Sequence, residues 1–258
     1  MTRIRRIDLN CDLGEAVTPE QLKVEARLMT MVSSVNIACG VHAGDAALMR
    51  HTVHMAHQHR LAIGAHPGLP DRESRGRREH PLSPSFVEDL VSTQVSDIMT
   101  IAQAEGVRLS HVKPHGALYN MAARDRMIAD AITSALARLD RHLILVGLAG
   151  SELIASGSAQ GLRVSAEGFA DRGYRADGSL IPRGQPGAIL HNDATVVARA
   201  KSLAIDDRVT AVDGTLLRFH IDTLCLHGDT PNAIDLAHAL RGMFDTSGIS
   251  VTRLDHVA

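Results

Sequence analysis

The chain has 258 residues, with 27 basic against 29 acidic side chains and a formal net charge of −2. That balance, with only 2 Tyr, 4 Phe and no Trp, argues against a nucleic-acid partner, which would need phosphate neutralisation or base-stacking platforms. No apolar run approaches the ~20 residues of a membrane span, Asp8 and Asn10 interrupt any leader-like stretch, and three cysteines without a CxxC pair fit a reduced, cytoplasmic protein. Histidine is abundant, at 15 residues.

Short β-rich runs alternate with helical stretches, the pattern of a parallel sheet with crossover helices. A first strand is expected over residues 4–9, followed by Asn10-Cys11-Asp12-Leu13-Gly14-Glu15. Thr18-Pro19 opens a helix, with Gln21 completing a capping box. A second strand, 34–38, runs into Cys39-Gly40-Val41-His42-Ala43-Gly44-Asp45. Leu48, Thr52, Met55, Ala56 and His59 then follow helical spacing. A third strand, 61–65, leads to His66-Pro67-Gly68 and a long loop, 67–83, carrying Arg72, Arg75, Arg77 and Arg78. Ser83-Pro84 starts a helix whose apolar positions include Phe86, Leu90, Val91 and Ile98, closed by Gly106. A fourth strand, 109–112, runs into Lys113-Pro114-His115-Gly116, and a fifth spans 143–147. The sixth, 162–166, leads to Glu167-Gly168 and a second long loop, 168–187. Residues 206–219 read as a short hairpin insertion. The seventh strand, 223–226, ends at His227-Gly228-Asp229, and Thr230-Pro231 opens a last helix. Nothing resembles a linker, so residues 1–258 read as one domain.

Six of the seven strands thus deliver an ionisable or ligand-type side chain beside Gly or Pro. In a closed parallel barrel all strand C-termini share one face, where active sites lie. A ring of Asp12, Glu15, His42, His66, Lys113, His115, Glu167, His227 and Asp229 has the composition of an acid–base or metal site. Lys113 stands out because the chain has only three lysines, so a compact ammonium at a strand end suggests anion binding or a base of lowered pKa. Arg172, in the second long loop, is a further anion-binding candidate. His51, His54, His57, His59, His80, His142, His220, His238 and His256 read as surface or packing residues. His111 reads equally well as support for the site or as a core histidine, and His191 is undecided. The cysteines read as small packing residues. No GxxxxGK[ST] or GxGxxG motif is present.

These strand-end segments, with Asn36-Ile37-Ala38 before Cys39, His111-Val112 before Lys113, Ala117-Leu118-Tyr119-Asn120 after Gly116 and Phe169-Ala170-Asp171-Arg172-Gly173-Tyr174 after Gly168, resemble the LamB/YcsF family, that of the A subunit of the prokaryotic 5-oxoprolinase. They span nearly the whole chain in order. One departure is visible: the family usually reads Gly-Phe-Gly-Arg-Arg where this chain has Ser74-Arg75-Gly76-Arg77-Arg78. The resemblance implies a distorted (β/α) barrel of about seven parallel strands, similar to the glycoside hydrolase/deacetylase barrel. It also implies ATP-dependent ring opening of 5-oxo-L-proline to L-glutamate together with subunits B and C, with ATP as co-substrate at a site no motif marks. A divalent metal and a homo-oligomer are both compatible with it. Asp12 or Glu167 would serve as base, His42, His66, His115 and His227 as proton-transfer or ligand residues, and Lys113 with Arg172 as anion stabilisers. Two other readings fit the same residues: a stand-alone metal-dependent amidohydrolase or deacetylase, and a non-catalytic scaffold subunit.

Overall fold

The first strand, β1 (Arg5–Leu13), alternates two kinds of side chain. Ile7, Leu9, Cys11 and Leu13 join the main hydrophobic core, whereas Asp8, Asn10 and Asp12 hydrogen-bond to side chains of other strands. Because strand side chains alternate in direction, β1 divides an apolar outer layer from a polar interior. The computed structural model describes residues 5–228 and 232–257.

Around β1 the chain builds α1 (Pro19–Leu28), β2 (Ser34–Ala38), α2 (Ala46–Gln58), β3 (Ala62–His66), α3 (Pro84–Ala104), β4 (His111–Val112), α4 (Gly116–Arg124), α5 (Arg126–Leu139), β5 (Ile144–Leu148), α6 (Glu152–Ala159), β6 (Arg163–Phe169) and α7 (Asp193–Asp206). A hairpin of β7 (Arg208–Thr210) and β8 (Leu216–Arg218) follows, then β9 (Thr223–Leu226), α8 (Ala233–Thr246) and β10 (Ile249–Val251). Strands β1 to β6 pair in sequence order, β6 pairs with β9, and β9 pairs back to β1, all in parallel. The result is a closed seven-stranded barrel with helices outside it. β10 adds beside the start of β1, with Arg5 opposite Ile249.

The seven expected strands are all present, as are the hairpin and the Thr18 and Ser83 caps. The Thr230-Pro231 start and Asp229 lie outside the described residues. Strands β3, β4 and β5 differ from expectation by one or two residues at an end, and two strand ends differ by more. β1 continues to Leu13 and β6 to Phe169, so Asp12 and Glu167 sit within strands rather than after them. The polar residues of β1 broke its apolar run, but their partners lie inside the barrel, where the alternation of the strand continues undisturbed. β10 was not expected at all.

At the closed end of the barrel, Leu254 packs with Ala62, Ile144 and Val146 in a small separate apolar cluster. Going up towards the strand C-termini, Asp8 accepts from Ser33, Ser34 and Thr223. Above it, Asn10, Asn36 and His111 are linked through Asn36 Oδ1 and Nδ2, each at 2.8 Å. His111 fits there only because position 64 is Gly: a Cβ at Gly64 would lie 2.2 Å from the imidazole. No helix among the described residues is long and apolar enough to cross a membrane.

Candidate active site

Lys113, just after β4, extends into the barrel. Its Nζ lies 2.8 Å from Glu167 Oε1, 3.0 Å from Asp12 Oδ1 and 3.2 Å from Cys225 Sγ. Asn10 fastens the other side, donating to Glu167 Oε1 at 2.9 Å, while Asn36 donates to Asp12 Oδ1 at 2.9 Å. Burial works against the ammonium, but Asp12 first, then Cys225 and Glu167, hold its pKa well above the lysine value. Two carboxylates within 3.0 Å of the ammonium favour a cation at this position over a base of lowered pKa. The same burial would neutralise Asp12, yet His66 and Lys113 keep its carboxyl well below the usual carboxylate range.

Above this ion cluster stand three histidines. His66 ends β3, and its Nδ1 donates to the Lys113 carbonyl at 2.7 Å. His115 precedes α4, and its Nε2 donates to the Arg75 carbonyl at 2.8 Å. His66 Nε2 and His115 Nδ1 then face each other at 2.9 Å, with Asp12 Oδ2 3.3 Å from the former. His42 stacks flat on His115, with centroids 3.9 Å apart and planes 3° from parallel. A Cβ at Gly68 would lie 2.4 Å from His42 Nδ1, so that position too must stay bare. Burial pushes both imidazoles below the usual histidine range, and His42 and His66 add to this at His115. Glu15 faces His42 Nε2 at 3.4 Å and His115 Nδ1 at 3.6 Å. Burial would raise its carboxyl, but a hydrogen bond from His42 and the charges of His115 and His42 lower it to about 2.

On the opposite wall His227, just after β9, holds Asp171 Oδ2 at 2.6 Å through Nδ1 and stacks near Phe169. Burial would raise Asp171, and the His227 charge and hydrogen bond bring it below the usual range. Arg172 sits beside them, its Nε donating to Ala188 O at 3.1 Å and an Nη to Ile181 O at 2.6 Å. It therefore braces the loop over the site as well as lining it.

The mouth opens into a cavity of about 1040 Å³. Asp12, Glu15, His66, Lys113, His115, Arg172 and His227 line it; Glu167 and His42 stand behind that wall. The rim carries Arg75, Arg77, Arg124, Arg175 and Arg183. Arg75 adopts φ +55°, donates to Glu15 O at 2.8 Å and presents its own carbonyl to His115. Ser74 anchors the same loop by accepting from the Arg77 and Arg78 amides.

All the expected site residues within the described part converge here. Of the other histidines, His111 supports the interior network, and His191 with the nine assigned to surface or packing is exposed. Asn10, Asn36, Tyr119, Phe169 and Cys225 belong to the site but were not picked out as such by the sequence, whereas Asp171 was read with Arg172 as part of a loop carrying catalytic or substrate contacts. The period-two polar pattern Asp8, Asn10, Asp12 was the available signal for the first of them. Cys225 was read as packing, yet its sulfur contacts the Lys113 ammonium. Asp12 with His66 and His115, Asp12 with Cys225 and His227, and Glu15 with His42 and His115 each group three metal-ligating types of side chain. Together these groups offer cationic side chains, carboxylates and imidazoles at the mouth of a cavity, the equipment for hydrolysis of a stable acyl bond.

The LamB/YcsF family model matches residues 7–258. The chain belongs to that family. Among its relatives, the A subunit of the 5-oxoprolinase of Methylococcus capsulatus is 48% identical over 250 residues, covering 97% of this chain and 96% of the relative. The crystal structure of the lactam utilization protein from Thermus thermophilus superposes with a TM-score of 0.87 at 38% identity, covering 96% of this chain and 99% of that one. A structure titled T48 deacetylase with substrate, at 14% identity and a TM-score of 0.51 over 98% of this chain and 90% of that one, shares the barrel fold.

Proposed function

We propose that this chain is the hydrolytic A subunit of a 5-oxoprolinase, opening 5-oxo-L-proline to L-glutamate in an ATP-dependent reaction with subunits B and C in the cytoplasm. The relatives' shared name supports the role in 5-oxoprolinase. The observation that carries the chemistry is the buried Lys113 ammonium between Asp12 and Glu167 at the floor of an arginine-rimmed cavity.

A five-membered lactam is a poor electrophile, so phosphoryl transfer from ATP to its oxygen, releasing ADP, would activate the ring carbon. Water then adds at that carbon and loses a proton to a base. The ring nitrogen departs as it is protonated, leaving the γ-acyl phosphate of glutamate, and a second water releases phosphate. Asp12 suits the base better than Glu167. Asp12 lines the cavity, whereas Glu167 is fully buried with Oε1 committed to Lys113 and Asn10. His227, oriented by Asp171, is placed to deliver a proton to the leaving nitrogen. Lys113 and Arg172 would stabilise the carboxylate and the developing oxyanion. The cavity is at the upper end of the ~300–1,000 Å³ typical of small-molecule pockets, and its arginine rim suits a phosphate-bearing co-substrate.

The deciding assay measures glutamate and ADP formation from 5-oxoproline and ATP, with this chain alone and with B and C. Turnover is expected only in the complete mixture and is lost with Asp12→Asn. Undiminished turnover without B and C overturns the complex, and full activity of Asp12→Asn overturns the base. The Asp12, His66 and His115 group also favours a second reading, a stand-alone amide hydrolase. ATP-independent hydrolysis of simple amides by the isolated chain would select it.

A further inference from the structure

Carbonyl oxygens accept hydrogen bonds and never donate them, so each histidine bonded to one reveals where its proton is. His66 Nδ1 must carry hydrogen to reach the Lys113 carbonyl, and His115 Nε2 must carry hydrogen to reach the Arg75 carbonyl. In neutral rings the remaining nitrogens, His66 Nε2 and His115 Nδ1, are bare lone pairs. These are the two atoms that point at each other across 2.9 Å. Asp12 adds a third donor: its Oδ1 is occupied by Asn36 and Lys113, while its Oδ2 faces His66 Nε2. Three electron-pair donors converging without a donor hydrogen between them require a cation.

The surrounding charge agrees. Asp12 and Glu167 flank the buried Lys113 ammonium, while a third carboxylate, Glu15, lies 3.6 Å from His115 Nδ1 and is reached by Arg75 from the rim at 3.6 Å. Carbonyls that fix the outer nitrogens of two imidazoles are the usual second layer of a metal centre, because they lock ring orientation and tautomer. The other two candidate groups are less complete. In one, Cys225 Sγ contacts the Lys113 ammonium, although Asp171 holds His227 Nδ1; in the other, His42 has no carbonyl holding its outer nitrogen and stands behind the cavity wall.

We propose that Asp12, His66 and His115 bind one divalent transition-metal ion, leaving an open coordination position towards the cavity. Two imidazoles and a carboxylate suit Zn²⁺ or a neighbouring first-row ion rather than Mg²⁺ or Ca²⁺. The proposal concerns binding and does not depend on which amide the site opens; with the ion bound, Asp12 is its ligand rather than the base for water.

The test uses the full chain, stripped with a chelator and titrated with Zn²⁺ by calorimetry and with Co²⁺ by visible absorption. One equivalent should bind, with a Co²⁺ spectrum characteristic of nitrogen and oxygen ligands, and the melting temperature should rise with metal concentration. His66→Gln and His115→Gln should each weaken binding at least ~100-fold, whereas His42→Ala, Cys225→Ser and the surface variant His54→Ala should not. Circular dichroism checks that each variant folds; if either glutamine variant does not, the wild-type stoichiometry and spectrum still decide. The alternative occupant is a proton shared between the two rings, and it predicts no uptake. Absence of binding at millimolar metal, or unchanged affinity in both glutamine variants, overturns the proposal. Either result leaves the ring-opening assay to be judged separately.

Discussion

Lys113 Nζ and Glu167 Oε1 are 2.8 Å apart in a part of the barrel where the lysine is 3% exposed and the glutamate 0%. Neither group can be removed alone without leaving the other as a buried charge. Lys113→Met should destabilise the protein by about 3–5 kcal/mol and abolish turnover in the complete enzyme. The double variant Lys113→Met/Glu167→Gln should recover much of the stability in a urea titration while remaining inactive. Recovery of activity in the double variant would mean that the ammonium serves only the fold.

Gly64 and His111 are coupled by space. A Cβ at position 64 would overlap the imidazole at 2.2 Å, so Gly64→Ala should cost about 1–3 kcal/mol by overpacking. Paired with His111→Ala, the added methyl has room, and the two losses should sum to less than additive. Thermal denaturation of the four proteins of this cycle measures the coupling.

Buried His111 is held down to about 3 by burial and by the charge of Lys113, whereas an unfolded histidine titrates near 6.5. Below pH 6.5 the unfolded chain therefore binds a proton that the native state refuses, and native stability falls progressively as pH drops from 6.5 to about 3. Asp8, raised by burial to about 6, acts in the opposite sense between 3.8 and 6. Comparing His111→Gln with the wild type isolates the histidine, and the variant should lose less stability across that window. Parallel melting-temperature profiles would remove His111 as the cause.

The Asp171–His227 pair should behave as one unit. His227→Gln should lower kcat by at least ~100-fold as a proton-transfer residue, and Asp171→Asn should lower it by releasing the ring from its orientation. Since the two act together, the double variant should be scarcely worse than the worse single one. Steady-state rates of the complete enzyme decide this.

Arg172 ties Ile181 O within the 168–187 loop to Ala188 O just beyond it. Arg172→Met takes from Ile181 O its guanidinium donor, while Ala188 O keeps the Gly173 amide; the loss, about 1–3 kcal/mol, should make that loop the first site of limited proteolysis. An unchanged cleavage pattern would show that the loop is held without it.

The barrel was legible because its outward residues keep apolar periodicity and because Gly and Pro mark six of its strand ends. The histidines of the mouth were legible for the same reason, through their position beside those breakers rather than through their number. The interior was harder to read. Asn10 and Asp12 looked as if they followed the end of a strand, since a single strand's sequence does not say that Ser34, Asn36 and Thr223 will meet its polar side chains from the neighbouring strands β2 and β9. Whether His111 served the core or the site was undecidable for the same reason: its partner Asn36 is 75 positions away. Cys225 reads as a small apolar residue until β9 is placed beside β1 and opposite Lys113. β10, three residues long, carries too short a pattern to register.

The closure of β1 against β9 and β10 has a bearing on how the chain is born. Asp8 pairs opposite Thr223 and Arg5 opposite Ile249, so the first strand made must wait for almost the last. A nascent chain emerging from the ribosome holds an open, curved sheet with two unpaired edges and its charged interior wetted. Contacts of such sequence separation slow folding, and those edges stay unpaired until β9 completes the ring.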